Sequence, residues 1–348
     1  INYQQFPERY FPGKINASHL LGYVKEVDQA IIKEISKKEK YIYGDLVGWR
    51  GLEKVYENRL RGIKGVHFVE VDAYGREIGQ SSDYEKENPV PGTDLQTTLL
   101  IPLQAMIEKI LDGKRAVVLV SLPETGEMLA MVSKPDYSPD LFTGETTVDE
   151  WQEIISNPNK PLLNRMTHGL YPPGSTLKMI TAMALMEKDK INYSEKINCN
   201  GVYELGDRQF HCWKEEGHGE MDLEQAIAQS CNVYFYHIVQ RLSIDEWANA
   251  CNEFGFGQRT EIDLASEAKG VVPNSRFMNK QYGRWGWSKG HLLNLSLGQG
   301  ELVVTPIQMM KFINSLAMSG TTPALHVVKE KTHTIHTVHR YSKQTWDR

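Results

Sequence analysis

Two short apolar runs on either side of a turn restrict the fold of this 348-residue chain more than any other feature. Residues 116–122 and 128–132 are strand-sized and apolar, and residues 123–126 between them contain proline and glycine. Such a pattern is typical of a buried β-hairpin. From residue 175 to residue 242 the apolar spacing becomes helical. A hairpin followed by a helical run predicts an α+β domain, with helices packed on an antiparallel sheet.

The residues before this domain form a second unit in our interpretation. Residues 85–94 hold two prolines and a glycine without periodicity, which favours a domain boundary. We therefore predict a small mixed domain over 1–92 and a larger domain over 93–348, a division that agrees with the chain length.

Local patterns predict several elements in these two domains. Apolar residues at a spacing of three or four predict a helix over residues 18–40, and a second helix is expected over 51–61. Tyr74-Gly75 follows an alternating segment and predicts a hairpin turn. Asp222 with Gln225, and Thr305 with Gln308, have the spacing of helix-start capping boxes.

Composition excludes some classes of function. The formal net charge is -5, so a nucleic-acid partner has no bulk electrostatic support. The longest apolar runs have the length of strands and are too short to cross a bilayer as helices. The chain begins at Ile1 without a signal-peptide pattern, and we expect any membrane anchor of the parent protein to lie before this fragment.

Residues 171–178, Tyr-Pro-Pro-Gly-Ser-Thr-Leu-Lys, hold the best candidate for a nucleophile. Proline and glycine break the chain, and a helix is expected to begin at Ser175, with Lys178 one turn later. A desolvated lysine can activate a serine hydroxyl, and a helix N-terminus can stabilise an oxyanion. The alternative is a helix cap beside an exposed lysine. A second Ser-x-x-Lys at 266–269 lacks the Pro-Gly entry, and we interpret it as a solvated charge beside a turn.

A Ser-Cys-Asn tripeptide at 230–232 interrupts the helical run. At a helix junction, Ser230 and Asn232 can point into a cleft, where they can relay protons and hydrogen-bond a substrate amide. The alternative is a local loop cap without a catalytic role.

Taken together, these motifs resemble the first two active-site motifs of penicillin-recognising serine enzymes. The wider resemblance is closest to the elongation transpeptidases among the class B penicillin-binding proteins, and it covers nearly the whole chain. Five further segments are similar to that family: Gly-Leu-Glu-Lys-Val-Tyr-Glu at 51–57, Pro-Leu-Leu-Asn-Arg at 161–165, Gly-His-Gly at 217–219, Leu-Gly-Gln-Gly at 297–300 and Thr-Pro-Ile-Gln-Met at 305–309.

The resemblance implies a penicillin-binding/β-lactamase-like transpeptidase domain after an incomplete pedestal, or dimerisation-like, domain. It implies that Ser175 attacks the penultimate D-Ala of a peptidoglycan stem peptide and that the acyl group then passes to a neighbouring stem. Lys178 would take the serine proton, Ser230 would pass it to the leaving amine, and Asn232 would hold the substrate backbone. β-Lactams would acylate Ser175.

The resemblance also implies partners and a location. Envelope shape and elongation proteins and a glycosyltransferase are the expected partners, at the periplasmic face of the inner membrane, with an N-terminal anchor helix outside this fragment. Two alternatives from other functional classes stay open: a non-catalytic scaffold or regulatory protein of wall synthesis, and a penicillin-sensing domain or β-lactamase on the same fold.

One family motif, Lys-Ser/Thr-Gly, does not occur in this sequence. Lys-Thr-His at 331–333 lacks the glycine. We expect the motif to follow Arg348 in the parent protein and the polypeptide as given to have an incomplete active site.

A metal site is the last prediction. Three thiols and one imidazole lie in a short span, and four such ligands suit a closed tetrahedral zinc: Cys199, Cys212, His218 and Cys231. Some elongation-type family members have zinc in this region, with ligands similar to Cys212, His218 and Cys231. A Cys199–Cys212 disulfide, or unligated buried thiols, are the alternatives.

The remaining cysteine and the C-terminal histidines receive other interpretations. Cys251 has helical spacing and is expected in the core. The histidines near the C-terminus lack ligand spacing, and we expect them along a solvated strand: His326, His333, His336 and His339.

Overall fold

The computed structural model describes residues 9–13, 15–29, 32, 41–80, 85–143, 146–330, 334–338 and 340–347. Within these ranges no helix has the length and apolar character needed to cross a membrane.

The N-terminal region consists of short elements. Two antiparallel strand pairs alternate with helices of four or five residues, and the elements are Ser18–Leu21 (helix), Val24–Glu26 and Leu46–Gly48 (strands), Gly51–Val55 and Glu57–Leu60 (helices), and Val69–Val71 and Glu77–Gln80 (strands). The predicted turn at Tyr74-Gly75 joins the second strand pair, which confirms that hairpin. The helix expected over 51–61 is present as two pieces that meet at Tyr56.

The helix predicted over 18–40 is only partly present in its described residues: Ser18–Leu21 is helical, but the chain then forms the strand Val24–Glu26. Gly22 ends the first helix with a φ of +82°, and a Cβ atom at this position would lie 1.9 Å from the carbonyl oxygen of Arg50. Contact between two backbones therefore overrides the helical spacing. Residues 30, 31 and 33–40 of the prediction lie outside the described residues.

The predicted central hairpin is confirmed. Ala116–Ser121 pairs antiparallel with Met128–Lys134, with Val118 opposite Val132. The helix Ile101–Ile110 packs on one face of the hairpin through Ile107, and the α+β class predicted from the sequence is the one observed.

The rest of the second region is mainly helical. The largest core is built by the elements Gly174–Leu177 (3₁₀), Lys178–Glu187, Leu223–Ala228, Asn232–Val239, Ile244–Glu253, Ser275–Tyr282, Lys289–Ser296, Pro306–Ala317 and Lys343–Trp346. Three further elements lie outside this core, and they are Pro139–Phe142 (3₁₀), Val148–Ser156 and Arg165–His168. Thr321–Pro323 and Ile335–Thr337 form an antiparallel pair. Both capping boxes, at Asp222 and at Thr305, are present, and Cys251 is fully buried in the core as predicted.

The helical interpretation of 175–242 is wrong in its middle. Four short strands interrupt it, and they are Ile197–Cys199, Val202–Leu205, Arg208–His211 and Gly219–Met221. Several glycines in this segment have positive φ angles, such as +92° at Gly201 and +61° at Gly206. Glycine adopts these turn conformations at little steric cost, and the chain folds back on itself instead of continuing as a helix.

The two regions share a core and are joined by buried carboxylates. Leu20 and Leu52 from the N-terminal region pack with Met166 and Val327 from the second region. Asp263 accepts hydrogen bonds from the backbone of Val327 and Val328 and, at 3.1 Å, from the hydroxyl of Tyr56. Glu108 accepts the backbone N–H groups of Asn16 and Ala17. These bonds fix the second region against the first.

The expectation of a solvated charged segment at 266–269 needs correction in part. Lys269 is exposed as predicted, but Glu267 is buried and accepts hydrogen bonds from Thr260 and Glu261, so it closes a loop instead of facing solvent.

The expected solvated histidine strand is also wrong at His326. Its side chain is only 1% exposed, and its Nδ1 atom lies 3.0 Å from the carbonyl oxygen of Ala324, because this segment packs against the central hairpin. His336 is half-buried on its strand, whereas His333 and His339 lie outside the described residues.

Candidate active site and metal centre

Ser175 lies on a tight turn that leads into a buried helix. The turn is the 3₁₀ segment Gly174–Leu177, and the α-helix Lys178–Glu187 follows directly. The predicted α-helical start at Ser175 is therefore a 3₁₀ turn, with Pro173 as its cap. Ser175 is exposed while Leu177 and Lys178 are buried, so the turn presents the serine hydroxyl at the surface above the helix.

A distant glycine holds this turn in place. The N–H group of Gly174 donates to the carbonyl oxygen of Gly298 at 2.9 Å, and Tyr171 pairs with Val304 in both directions. A Cβ atom at Gly298 would lie 2.1 Å from the carbonyl oxygen of Gly174. The glycine of the Leu-Gly-Gln-Gly segment thus permits the close backbone approach that supports Ser175.

Lys178 connects the serine turn to the Ser-Cys-Asn segment. Its Nζ atom donates to the carbonyl oxygen of Ser230 at 2.7 Å, to the Oγ atom of Ser230 at 2.9 Å and to Oδ1 of Asn232 at 2.8 Å. Burial lowers the pKa of Lys178 to about 8, although the neighbouring thiols Cys231 and Cys212 act in the opposite direction. A lysine with this pKa is partly neutral near neutral pH and can accept a proton.

Ser230 stands at the predicted break between two helices. The helix Leu223–Ala228 ends just before it, and Asn232–Val239 begins just after it. Its φ of +51° is uncommon for a residue other than glycine, and such backbone conformations concentrate at functional sites. This conformation directs the carbonyl and the hydroxyl of Ser230 to the same amine.

The sequence reasoning missed Trp213. Its indole N–H donates to the carbonyl oxygens of Gln229 at 3.1 Å and Ser230 at 3.2 Å, and the ring is 61% exposed. The sequence signal that could have identified this residue is its position directly after Cys212, a candidate metal ligand. Trp213 supports the same carbonyl that Lys178 contacts.

The four predicted ligand residues are brought together. One ligand atom from each lies within 4.8 Å of the others, although the residues come from separate elements: Cys199, Cys212, His218 and Cys231. The Nδ1 atom of His218 lies 3.6 Å from Sγ of Cys199 and 3.5 Å from Sγ of Cys212. Zinc–sulfur bonds of about 2.3 Å in a tetrahedron place ligand sulfurs about 3.8 Å apart, so the cluster fits this ion.

The four residues of the cluster are unequally prepared for metal binding, because their pKa shifts act in different directions. All four cysteines are free thiols in the structure, so the alternative Cys199–Cys212 disulfide is not formed. Burial raises the pKa of Cys231 to about 12, which favours the thiol, so a metal ion that binds here has to displace this proton. Burial and the charges of Lys214 and Lys178 lower the pKa of His218, which keeps the imidazole in the neutral form that binds metals.

The exposed serine, the buried lysine one turn later and the Ser-x-Asn junction at that lysine are typical of the penicillin-recognising class of active-site-serine enzymes. Comparisons with known proteins agree. Residues 116–348 match the model described as the penicillin binding protein transpeptidase domain, and residues 1–97 match the penicillin-binding protein dimerisation domain. The chain belongs to the penicillin-binding protein transpeptidase family.

Curated relatives include two proteins named peptidoglycan D,D-transpeptidase MrdA. The one from Salmonella typhimurium is 34% identical over 333 residues, which are 94% of this chain and 53% of the relative. The one from Escherichia coli K12 is 32% identical over 94% of this chain and 52% of the relative. The chain therefore spans about half the length of the curated relatives it matches.

Solved structures show the same fold. The complex of penicillin-binding protein PBP2 with MreC from Helicobacter pylori superposes with a TM-score of 0.88 at 31% identity, over 98% of this chain and 62% of that chain. PBP2 of Pseudomonas aeruginosa in complex with WCK 5153 gives a TM-score of 0.80 at 29% identity, over 99% and 74%.

Proposed function

We propose that this protein is a peptidoglycan D,D-transpeptidase of cell elongation that acts through an acyl-enzyme on Ser175 and is acylated there by β-lactams. The observation that carries this proposal is the contact of the Lys178 amine with both Ser230 and Asn232, next to the turn that exposes Ser175. The family membership and the relatives named D,D-transpeptidase support the same reaction.

The reaction proceeds in two steps. The Oγ atom of Ser175 attacks the penultimate D-Ala carbonyl of a stem peptide while its proton passes to the neutral amine of Lys178. The hydroxyl of Ser230 relays a proton to the departing terminal D-Ala, and the ester on Ser175 remains. An amine of a second stem then attacks the ester, which regenerates the serine and forms the cross-link. The Asn232 amide holds the substrate backbone.

Labelling with a fluorescent penicillin tests this mechanism in the full-length protein. Ser175→Ala should abolish covalent labelling, and Lys178→Ala should slow it by at least ~100-fold, the usual scale for loss of a general base. Ser194→Ala and Lys269→Ala, which change exposed residues of the same types elsewhere, should leave the rate unchanged. Equal labelling of Ser175→Ala would refute the assignment of the nucleophile.

We propose in addition that one zinc ion is bound by the four-residue cluster. The mutual separations of the ligand atoms support this ion. Zinc would supply structural cross-linking here, because four protein ligands leave no open position for substrate. Cys231 lies between Ser230 and Asn232, so the bound ion would stiffen the junction that positions both side chains.

Binding of envelope shape proteins, and of a glycosyltransferase, is proposed for the N-terminal region. An exposed apolar ribbon supports this role, and it consists of Ile63, Val66, Val71, Ile78 and Val90. Similar structures include PBP2 bound to MreC and a peptidoglycan synthase complex. The reaction would take place at the periplasmic face of the inner membrane, where the wall substrate lies.

Val71→Glu should weaken capture of an MreC-type protein, while Val148→Glu on the other region should not. Equal capture by the two variants would contradict the assignment of the apolar ribbon as the binding surface.

A further inference from the structure

A cavity of about 370 Å³ lies between the N-terminal region and the second region, and Ser175 is not among the residues that line it. Its volume is within the range of small-molecule sites, about 300–1,000 Å³. The N-terminal region contributes Lys25 and Arg50, and the second region contributes Trp151, Asn164 and His168.

The charge of this cavity is one-sided. Lys25 and Arg50 line it, and no aspartate or glutamate does. Within the described part of the chain, neither cation has a carboxylate at ion-pair distance, whereas other exposed cations such as Arg9 and Arg76 do. Burial and the charge of Arg50 both lower the pKa of His168, which is consistent with the guanidinium lying beside that imidazole. The cavity therefore favours an anion.

The walls favour a ligand with an apolar body and amide groups. Leu162, Leu163 and the half-open ring of Trp151 provide apolar surface. Asn164 accepts from the backbone of Met166, and Ser266 contacts His168 at 3.1 Å, but an amide has two donors and two lone pairs, so Asn164 keeps capacity for a peptide group. Free phosphate would leave the apolar walls unused. Lys25 lies over the Trp49 ring and Arg50 bonds Tyr23, but a neutral sugar would give neither cation a counter-charge. A guanidinium matches a carboxylate in a planar, bidentate geometry.

We propose that this cavity binds a short carboxylate-bearing peptide, two or three residues of which fill it, at a site separate from Ser175. The choice of a wall stem peptide as this ligand rests on the proposed function, because stem peptides carry free carboxylates and small apolar side chains. Arg50 binds a carboxylate, Lys25 adds the second charge, and Asn164 bonds the peptide backbone.

The position of the cavity connects it to the active site. Thr167 and His168 lie on its wall and belong to the helix Arg165–His168, which directly precedes the segment leading to Ser175. Tyr171 in this segment is fixed by its backbone pairing with Val304. An occupied cavity thus contacts the same continuous segment that carries the nucleophile.

Calorimetric titration of the full-length protein tests the proposal. The probe is a synthetic pentapeptide with free carboxylates on its glutamate and on its terminal D-Ala-D-Ala. Arg50→Gln should weaken binding at least five-fold and Arg50→Lys less, because the lysine keeps the charge but loses the planar fork. Lys109→Gln removes an exposed charge elsewhere and should have no effect. A fully amidated copy of the peptide should bind wild-type protein at least ten-fold more weakly.

Three results would overturn the proposal: wild-type affinity in Arg50→Gln, equal affinity for the amidated peptide, or a loss of binding in Asn232→Ala alone, which would place the peptide only at the active site. A fourth such result would be inorganic phosphate that binds at millimolar concentration in wild type but not in Arg50→Gln, while the peptide shows no binding. Penicillin labelling tests the proposed function independently of this titration. If labelling at Ser175 were absent, the proposed function would fail, but the difference in peptide affinity between wild type and Arg50→Gln could still be measured.

Discussion

The Nζ atom of Lys178 lies 2.9 Å from the Oγ atom of Ser230, and its other two acceptors are the Ser230 carbonyl and Asn232. An ammonium has three donors and fills all three contacts. When the amine is neutral it has only two donors and one lone pair. The Ser230 hydroxyl can reverse its hydrogen and donate by rotating one bond, whereas the Ser230 carbonyl can only accept, so the hydroxyl contact adapts to both protonation states of the lysine.

Acylation should therefore depend on pH through Lys178. Because burial lowers the pKa of this lysine to about 8, the neutral base disappears as pH falls below that value. The rate of penicillin labelling should rise about ten-fold per pH unit below pH 8 and level off above it. Stopped-flow labelling between pH 5.5 and 9.5 measures the profile. A rate that still rises ten-fold per pH unit up to pH 9.5, as an ordinary lysine pKa of about 10.4 requires, would show that burial does not tune this group.

Trp213→Phe should slow acylation of Ser175, because the Ser230 carbonyl loses a hydrogen bond that helps to position it. The substitution keeps an aromatic ring, although a smaller one, and removes the indole N–H that donates to this oxygen. A hydrogen bond of this kind contributes about 0.5–1.5 kcal/mol, so we expect a loss of roughly 2- to 12-fold in rate. Trp285→Phe is the matched control, because Trp285 is 90% exposed. If Trp213→Phe and Trp285→Phe were acylated at the same rate, Trp213 would have no positioning role.

Loss of the proposed zinc should affect stability and acylation together. Cys212→Ser removes one ligand of the cluster, and the segment around Cys231 then loses its cross-link. We expect a lower Tm and slower labelling, with elemental analysis changing from about one zinc per chain to substoichiometric metal. Cys251→Ser separates the two effects, because this thiol is buried outside the cluster and should lower the Tm without changing the zinc content.

Local patterns could be predicted from the sequence, whereas contacts between distant segments could be predicted only where motifs marked them, as for Lys178 with Ser230. The central hairpin, the capping box at Asp222 and the helix break at Ser230 each depend on residues close in the chain. The contact of Gly298 with Gly174 depends on how separate segments pack, and no local pattern encodes it. The strand at Val24–Glu26 replaced a predicted helix for the same reason, because Gly22 contacts a distant backbone.

His19 should make the protein less stable in mild acid. Burial lowers its pKa from 6.5 to about 4, so the unfolded chain binds a proton more readily than the folded chain between these values. The stability from neutral His19 is complete above pH 6.5 and is lost as pH falls toward 4, by up to about 3 kcal/mol. Urea unfolding of wild type and His19→Phe at pH 4.5 and 7.5 measures the difference. Identical pH slopes in the two proteins would contradict the prediction.

Gly298→Ala should disturb the serine turn more than a glycine substitution in an open turn. At Gly298 the φ is +69°, and the new methyl group would meet the carbonyl oxygen of Gly174 at 2.1 Å. Gly206 has a similar φ of +61° with nothing within 4 Å of the added atom, so Gly206→Ala carries the backbone strain alone. That strain costs about 1–2 kcal/mol, and the steric overlap at Gly298 adds roughly 1–3 kcal/mol.

The two variants separate backbone strain from displacement of the nucleophile. Gly206→Ala should lower the free energy of unfolding modestly and leave penicillin labelling unchanged. Gly298→Ala should lower stability further and slow labelling at least ten-fold, because the clash falls on the residue directly before Ser175 and relief of the clash moves the turn. Urea unfolding and labelling rates give both quantities on the same samples. If Gly298→Ala lost stability but labelled at the wild-type rate, the close approach would support the fold without positioning the serine.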